Sequence, residues 1–161
     1  MFEIQIGFST SQEILSKIIR LFTKGKYSHA FITYDDFVLK SKMIMEAQWD
    51  GFHLKKWKSS PSVYGNYLLI SPKYDITGLP KACADFLGNP YDYTGILGAI
   101  PVMILRFFRI KSRNLLQDGK AKFCSEAIVL GLQKINYPNA HKLDASQTTP
   151  QDLYEFFERE R

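Results

Sequence analysis

Two cysteines, Cys83 and Cys124, are the only thiols among the 161 residues. That is too few for a disulfide framework or a zinc ribbon, so both are expected to be free, in a reducing cytosol. The three histidines do not stand at metal-ligand spacing from a cysteine, a carboxylate or one another, and neither a metal nor a cofactor is expected. A glycine-rich phosphate loop and a Gly-x-Ser-x-Gly elbow are both missing. Nor is there an apolar run of the ~20 residues that a membrane span requires; the longest goes from Ile96 to Leu105. Met1-Phe2-Glu3-Ile4-Gln5-Ile6 lacks the basic leader and apolar core of a signal peptide, which points to a cytoplasmic chain. With no repeat, low-complexity tract or linker, residues 1–161 are expected to form a single domain.

What is present is ordinary globular material: 45% hydrophobic and 23% charged residues, with 14% aromatics. At this length a fold buries roughly 70% of its unfolded surface, enough to stand without staples. The net charge of +5 is local. Between Ile96 and Lys122 lie Arg106, Arg109, Lys111, Arg113, Lys120 and Lys122 against Asp118 alone, which already accounts for the whole excess. Nucleic-acid binding would more often spread such charge along a face, and none is expected here.

Phe2, Ile4, Ile6 and Phe8 alternate as in a strand with one buried face. Thr10 and Glu13 form a capping box ahead of a helix carrying Ile14, Leu15, Ile18, Ile19 and Phe22, with Gly25 as its stop. The period then changes to two. Tyr27 to Tyr34 predicts a strand, Asp35-Asp36 a turn, and Val38 to Gln48 a stretch containing the next strand. Asp50-Gly51 signals a hairpin into Phe52 to Trp57, and Tyr67 to Ser71 completes a meander of antiparallel neighbours. Pro80 opens a helix whose buried face is Leu79, Ala82, Cys83, Phe86 and Leu87, before Gly88. Asn89-Pro90-Tyr91-Asp92 is a turn, and Tyr93 to Phe108 is apolar and helical despite Gly95, Gly98 and Pro101. Lys122 to Ile135 predicts a helix with Cys124, Ala127, Ile128, Gly131 and Ile135 inward. Thr149-Pro150-Gln151-Asp152 starts another, running to Phe157. Strands followed by helices make this an α+β fold.

Cys124 is the sharpest candidate for chemistry. In a first helical turn, unpaired N–H groups and the helix dipole stabilise an anion, and Lys120 and Lys122 act in the same direction. The plainer reading is a small buried hydrophobe. His29 stands on a strand face with Phe31 and Thr33, held rigidly as a general base must be; the plainer reading is a half-exposed strand histidine. Glu46 sits between apolar neighbours in Met43-Ile44-Met45-Glu46-Ala47. A buried carboxylate requires a partner, and an imidazole one strand away would supply it. An outward-facing glutamate is the alternative. His53 and His141 are expected at the surface and Cys83 in the core.

In this order the motifs resemble a known family. Tyr27-Ser28-His29 on a strand is followed by Glu46 on the next, Asn89-Pro90-Tyr91-Asp92-Tyr93 at a turn, Phe123-Cys124-Ser125-Glu126 opening a helix, and Thr149-Pro150-Gln151-Asp152-Leu153. The series is similar to the circularly permuted branch of the NlpC-type, papain-like cysteine hydrolases, in particular the YiiX-like group. In that branch the histidine strand precedes the cysteine helix, as His29 precedes Cys124. The resemblance implies a papain-like antiparallel sheet packed against helices. It also implies a thiol hydrolase that cleaves an amide bond of peptide or cell-wall type through a thioester. Cys124 would be the nucleophile, His29 the base and Glu46 the orienting acid. The Cys124 N–H would be one oxyanion donor, with Tyr27 and Tyr91 both open as the second.

The substrate class stays open between peptide, amide and acyl groups. A lipid or protein acyltransferase or deacylase of the lecithin:retinol acyltransferase-like type keeps the same chemistry. A non-enzymatic binding domain keeps only the fold. The segment from Ile96 to Arg113 reads either as a buried helix with a basic end or as a peripheral contact with an anionic membrane.

Overall fold

The computed structural model describes residues 3–10, 16–17, 20–21, 24–48, 51–60, 62, 65–88 and 124–160. The expected turn at Asn89-Pro90-Tyr91-Asp92, the apolar segment from Ile96 to Arg113, and Lys120, Lys122 and Phe123 lie outside them. So does most of the expected first helix, of which Ser16, Lys17, Arg20 and Leu21 have helical backbone.

The described residues form an α+β arrangement around one antiparallel sheet. Its strands are β1 (Ile4–Thr10), β2 (His29–Asp36), β3 (Ser41–Gln48), β4 (Gly51–Lys56) and β5 (Asn66–Ile70). The order across the sheet is β4-β3-β2-β1-β5. The first four strands make the expected meander, but β5 does not extend it. It returns to the far edge and pairs with β1, Phe8 opposite Leu68 and Thr10 opposite Asn66. Thr10 closes β1 in the sheet, and Glu13, the other half of its expected capping box, lies outside the described residues.

The alternation of apolar side chains sorts two faces. Ile6, Phe8, Ala30, Ile32, Met45, Ala47, Phe52 and Ile70 join the main core. Against them pack α1 (Leu79–Ala84), α2 (Cys124–Lys134) and α3 (Pro150–Glu158). α3 carries the full capping box anticipated for it, Thr149 accepting from the Asp152 N–H while Asp152 accepts in return. α1 stops at Ala84, earlier than predicted, and Gly88 at φ +77 ends the turn that follows. Leu87 is therefore exposed rather than buried. At the tip between β2 and β3, Asp35 and Asp36 belong to the strand, opposite Lys42 and Ser41, and the turn falls one step later. There Asp36 Oδ1 accepts the Leu39 N–H at 2.8 Å. This local bond holds an apolar tip of Phe37, Val38 and Leu39 in solvent.

The second face carries an aromatic cluster. Trp57, just after β4, meets Tyr67 of β5 with ring centroids 5.4 Å apart, although the two strands are opposite edges. Four strand spacings in a flat sheet would separate them by about 19 Å. The Trp57 ring, in the turn after β4, lies across the sheet face over Phe31 of the central strand and so reaches Tyr67. Phe31 lies 5.8 Å from Trp57 and 6.1 Å from His29. Gly7 makes room for it, since a Cβ there would fall inside the Phe31 ring. Held between Trp57 and the imidazole, the ring has little freedom to yield. Gly7→Ala is expected to cost about 2 kcal/mol by overpacking, read as a lowered midpoint of urea unfolding. An unchanged midpoint would mean that the ring moves aside freely.

Candidate active site

His29 is the first residue of β2, and the strand pairing explains its freedom. On the β1 side it is fixed: Ser9 is its pairing partner, and the Ser28 N–H donates to the Ser9 carbonyl at 3.1 Å. On the β3 side the pairing begins only at Phe31, opposite Glu46. His29 thus stands diagonal to Glu46 on the same face, where a long side chain can reach it. Nε2 of His29 lies 3.2 Å from Oε2 of Glu46. The imidazole side chain keeps 20% of its exposure, whereas the carboxylate has none.

Cys124 reaches the same point from the other half of the chain. α2 opens at Cys124 and packs its apolar side on β2 and α1. Ala127, Ile128 and Leu132 are buried there, and Gly131 is closely approached by Cys83 and Leu79. Cys124 is buried, and the His29 ring and the backbone N–H groups of Ala30 and Ser125 lie near enough to act on its sulfur. Since Nε2 faces Glu46, Nδ1 is the nitrogen left for the sulfur.

The electrostatics follow from these contacts. Burial alone would push the Cys124 thiol up. The His29 hydrogen bond and charge, with the two N–H donors, outweigh it and draw the thiol below its ordinary value. Burial alone would likewise pull the imidazole down. Hydrogen bonds and charge from Cys124 and Glu46 outweigh that and raise His29 to about 10. Glu46 would be raised by burial but is drawn below its ordinary value by His29, Ser60 and Ser62. All three shifts favour the charged forms: a thiolate at Cys124, an imidazolium at His29 and a carboxylate at Glu46.

Three partners of Glu46 escaped the reading of the sequence. Ser60 Oγ donates to Oε1 at 2.5 Å, Ser62 Oγ to Oε2 at 2.5 Å and Gln48 Nε2 to Oε1 at 2.6 Å. Nothing in a short serine-containing loop marks it as a carboxylate holder; the only signal is that a buried Glu46 requires several donors. His53, expected at the surface, is partly buried directly across from Glu46 in β4.

The remaining candidates fall elsewhere. Tyr27 is buried in an aromatic cluster, its ring 5.6 Å from Phe8 and 4.8 Å from Tyr154. Tyr91 lies outside the described residues. The Thr149-Pro150-Gln151-Asp152 motif acts at a distance from its helix, for Gln151 Oε1 accepts the N–H groups of Lys26 at 2.8 Å and Tyr27 at 3.4 Å. It thereby fixes the approach to the histidine strand. Cys83 donates to the Ala127 carbonyl in the core, and burial pushes its thiol up to about 12. His141 is exposed. Among the described residues no three metal-ligating side chains cluster, and no helix is long and apolar enough to cross a membrane. In comparisons with known proteins, no family model matches the chain and no curated protein matches it.

Proposed function

We propose that this chain is a thiol hydrolase with the permuted papain-like fold, acting on an amide bond of a peptide or peptide-like substrate. The observation that supports the reading best is the convergence of three side chains from a helix start and two neighbouring strands, with His29 bonded to Glu46 and close enough to Cys124 to act on its sulfur. A core cysteine with no chemistry would be expected in the state of Cys83, with its proton held by burial. Cys124 departs from that state in the direction a nucleophile requires.

In the proposed reaction the Cys124 thiolate attacks the carbonyl carbon, and the electron pair of the C=O bond moves to oxygen. The Cys124 N–H is one donor to that oxyanion. As the C–N bond breaks, the His29 imidazolium gives its proton to the leaving amine, and a thioester remains on Sγ. Water then attacks the thioester carbonyl and loses a proton to His29. The C–S bond breaks, the acid leaves, and the thiolate–imidazolium pair is restored. Glu46 touches neither carbonyl nor sulfur; it orients the ring and stabilises its charge.

Alkylation by iodoacetamide tests the central requirement without a known substrate. At pH 6 a free peptide thiol is almost entirely protonated, so Cys124 should react at least about tenfold faster, with peptide mapping showing Cys83 untouched. A rate no higher than that of the free thiol would leave the proposal without its nucleophile.

A further inference from the structure

Glu46 is saturated by donors, and His29 is the most distant of them. Oε2 is shared by His29 at 3.2 Å and Ser62 at 2.5 Å, and Oε1 by Ser60 at 2.5 Å and Gln48 at 2.6 Å. Ser60 Oγ also accepts the Ser62 N–H at 3.1 Å. That bond ties the two serines into one turn and leaves the Ser60 proton to point at the carboxylate. The turn follows Trp57, whose ring rests on Phe31, so residues 57–60 together with Ser62 form a strap anchored on the same sheet face as Glu46. On the other side Gln48 Oε1 accepts from Lys55 Nζ at 2.9 Å, which turns the amide so that its NH₂ faces Glu46.

Four donors converging on two oxygens leave no place for a proton on the acid. They also set the plane of the carboxylate without help from the imidazole. We infer that Ser60 and Ser62 are positioning residues of this site: by binding Glu46 they keep it ionised and aimed at His29 Nε2, and so hold Nδ1 towards the Cys124 sulfur. The inference rests on the proposed thiol hydrolase reading. It extends the machinery from three side chains to a strap that no resemblance or motif picked out. Loss of a strap donor would let Glu46 take up a proton, weaken the imidazolium, and thereby raise the thiol. The charged or titratable groups facing Glu46 are His29 from β2, His53 across in β4, and Lys55 through Gln48.

The test is the pH dependence of Cys124 alkylation by iodoacetamide in the full chain, with melting temperature followed alongside. Ser62→Ala should move the inflection upward and slow alkylation at pH 6 about tenfold, the equivalent of one unit of pKa; Ser62→Thr should restore it. In a Glu46→Gln background the same Ser62→Ala change should have no further effect, because there is no carboxylate left to hold. A purely structural serine would lower the melting temperature and leave the inflection in place, and that result overturns the inference. So does an equal shift with Glu46→Gln present. Should Ser60→Ala fail to fold, the partly exposed Ser62 carries the test alone. A wild-type profile with no depressed inflection would instead refute the nucleophile itself, and the two failures are thus told apart.

Discussion

Cys124→Ala is expected to abolish hydrolysis, with turnover of peptide anilides and activated esters falling at least about 10³-fold, to background. The reason is covalent: without sulfur no thioester forms, and neither His29 nor Glu46 is placed to replace it. The fold should survive. The change removes one atom from a buried position at the start of α2, while the contacts that seat the helix come from Ala127, Ile128, Val129 and Leu132. Parallel melting curves and activity assays decide the matter. Residual turnover within tenfold of wild type would show that the nucleophile is elsewhere. Loss of both activity and cooperative melting would indicate a packing role.

His29→Ala is expected to have the second largest effect, and its physical basis gives the pH profile as well. Cys124 is an acid whose charged form is favoured, so it loses its proton at lower pH than an ordinary thiol; His29 is a base whose charged form is favoured, so it keeps its proton to higher pH, about 10. The reactive pair therefore exists between these two limits. Activity (kcat/KM) should rise as pH passes the depressed value of Cys124 and fall as it passes the raised value of His29. Removing the imidazole takes away the first cause that lowers the thiol and leaves burial, which acts the other way. In His29→Ala the acid limb should move to alkaline pH, alkylation at pH 7 should drop about a hundredfold, and turnover should fall about 10³-fold or more. A variant whose alkylation profile matched wild type would show that the thiolate owes its stability to the backbone N–H groups alone.

Several elements follow from local chemistry and could be read directly. Alternating apolar residues specify strands whichever neighbour they find, and so β1 to β4 appear close to where their periodicity puts them. Thr149, Pro150 and Asp152 carry the whole start of α3 in four consecutive positions. Glu46 between methionines and an alanine declared a need for a partner, because a lone buried carboxylate is costly.

Other features are not local and left no mark in the chain. The return of β5 to β1 depends on which edge of a twisted sheet lies nearer, and Tyr67 to Ser71 reads the same at either edge.

The sequence by itself determined the alternation, the caps, the polarity of the chain and the three side chains with suitable chemistry. Those properties depend on residues a few positions apart. Only the tertiary structure decided that Cys124 meets His29, and that Ser60, Ser62 and Gln48 all turn to Glu46. The physical reason is that a buried charge is satisfied by donors counted in space. Those donors can come from any strand, turn or helix that the fold carries to the same point.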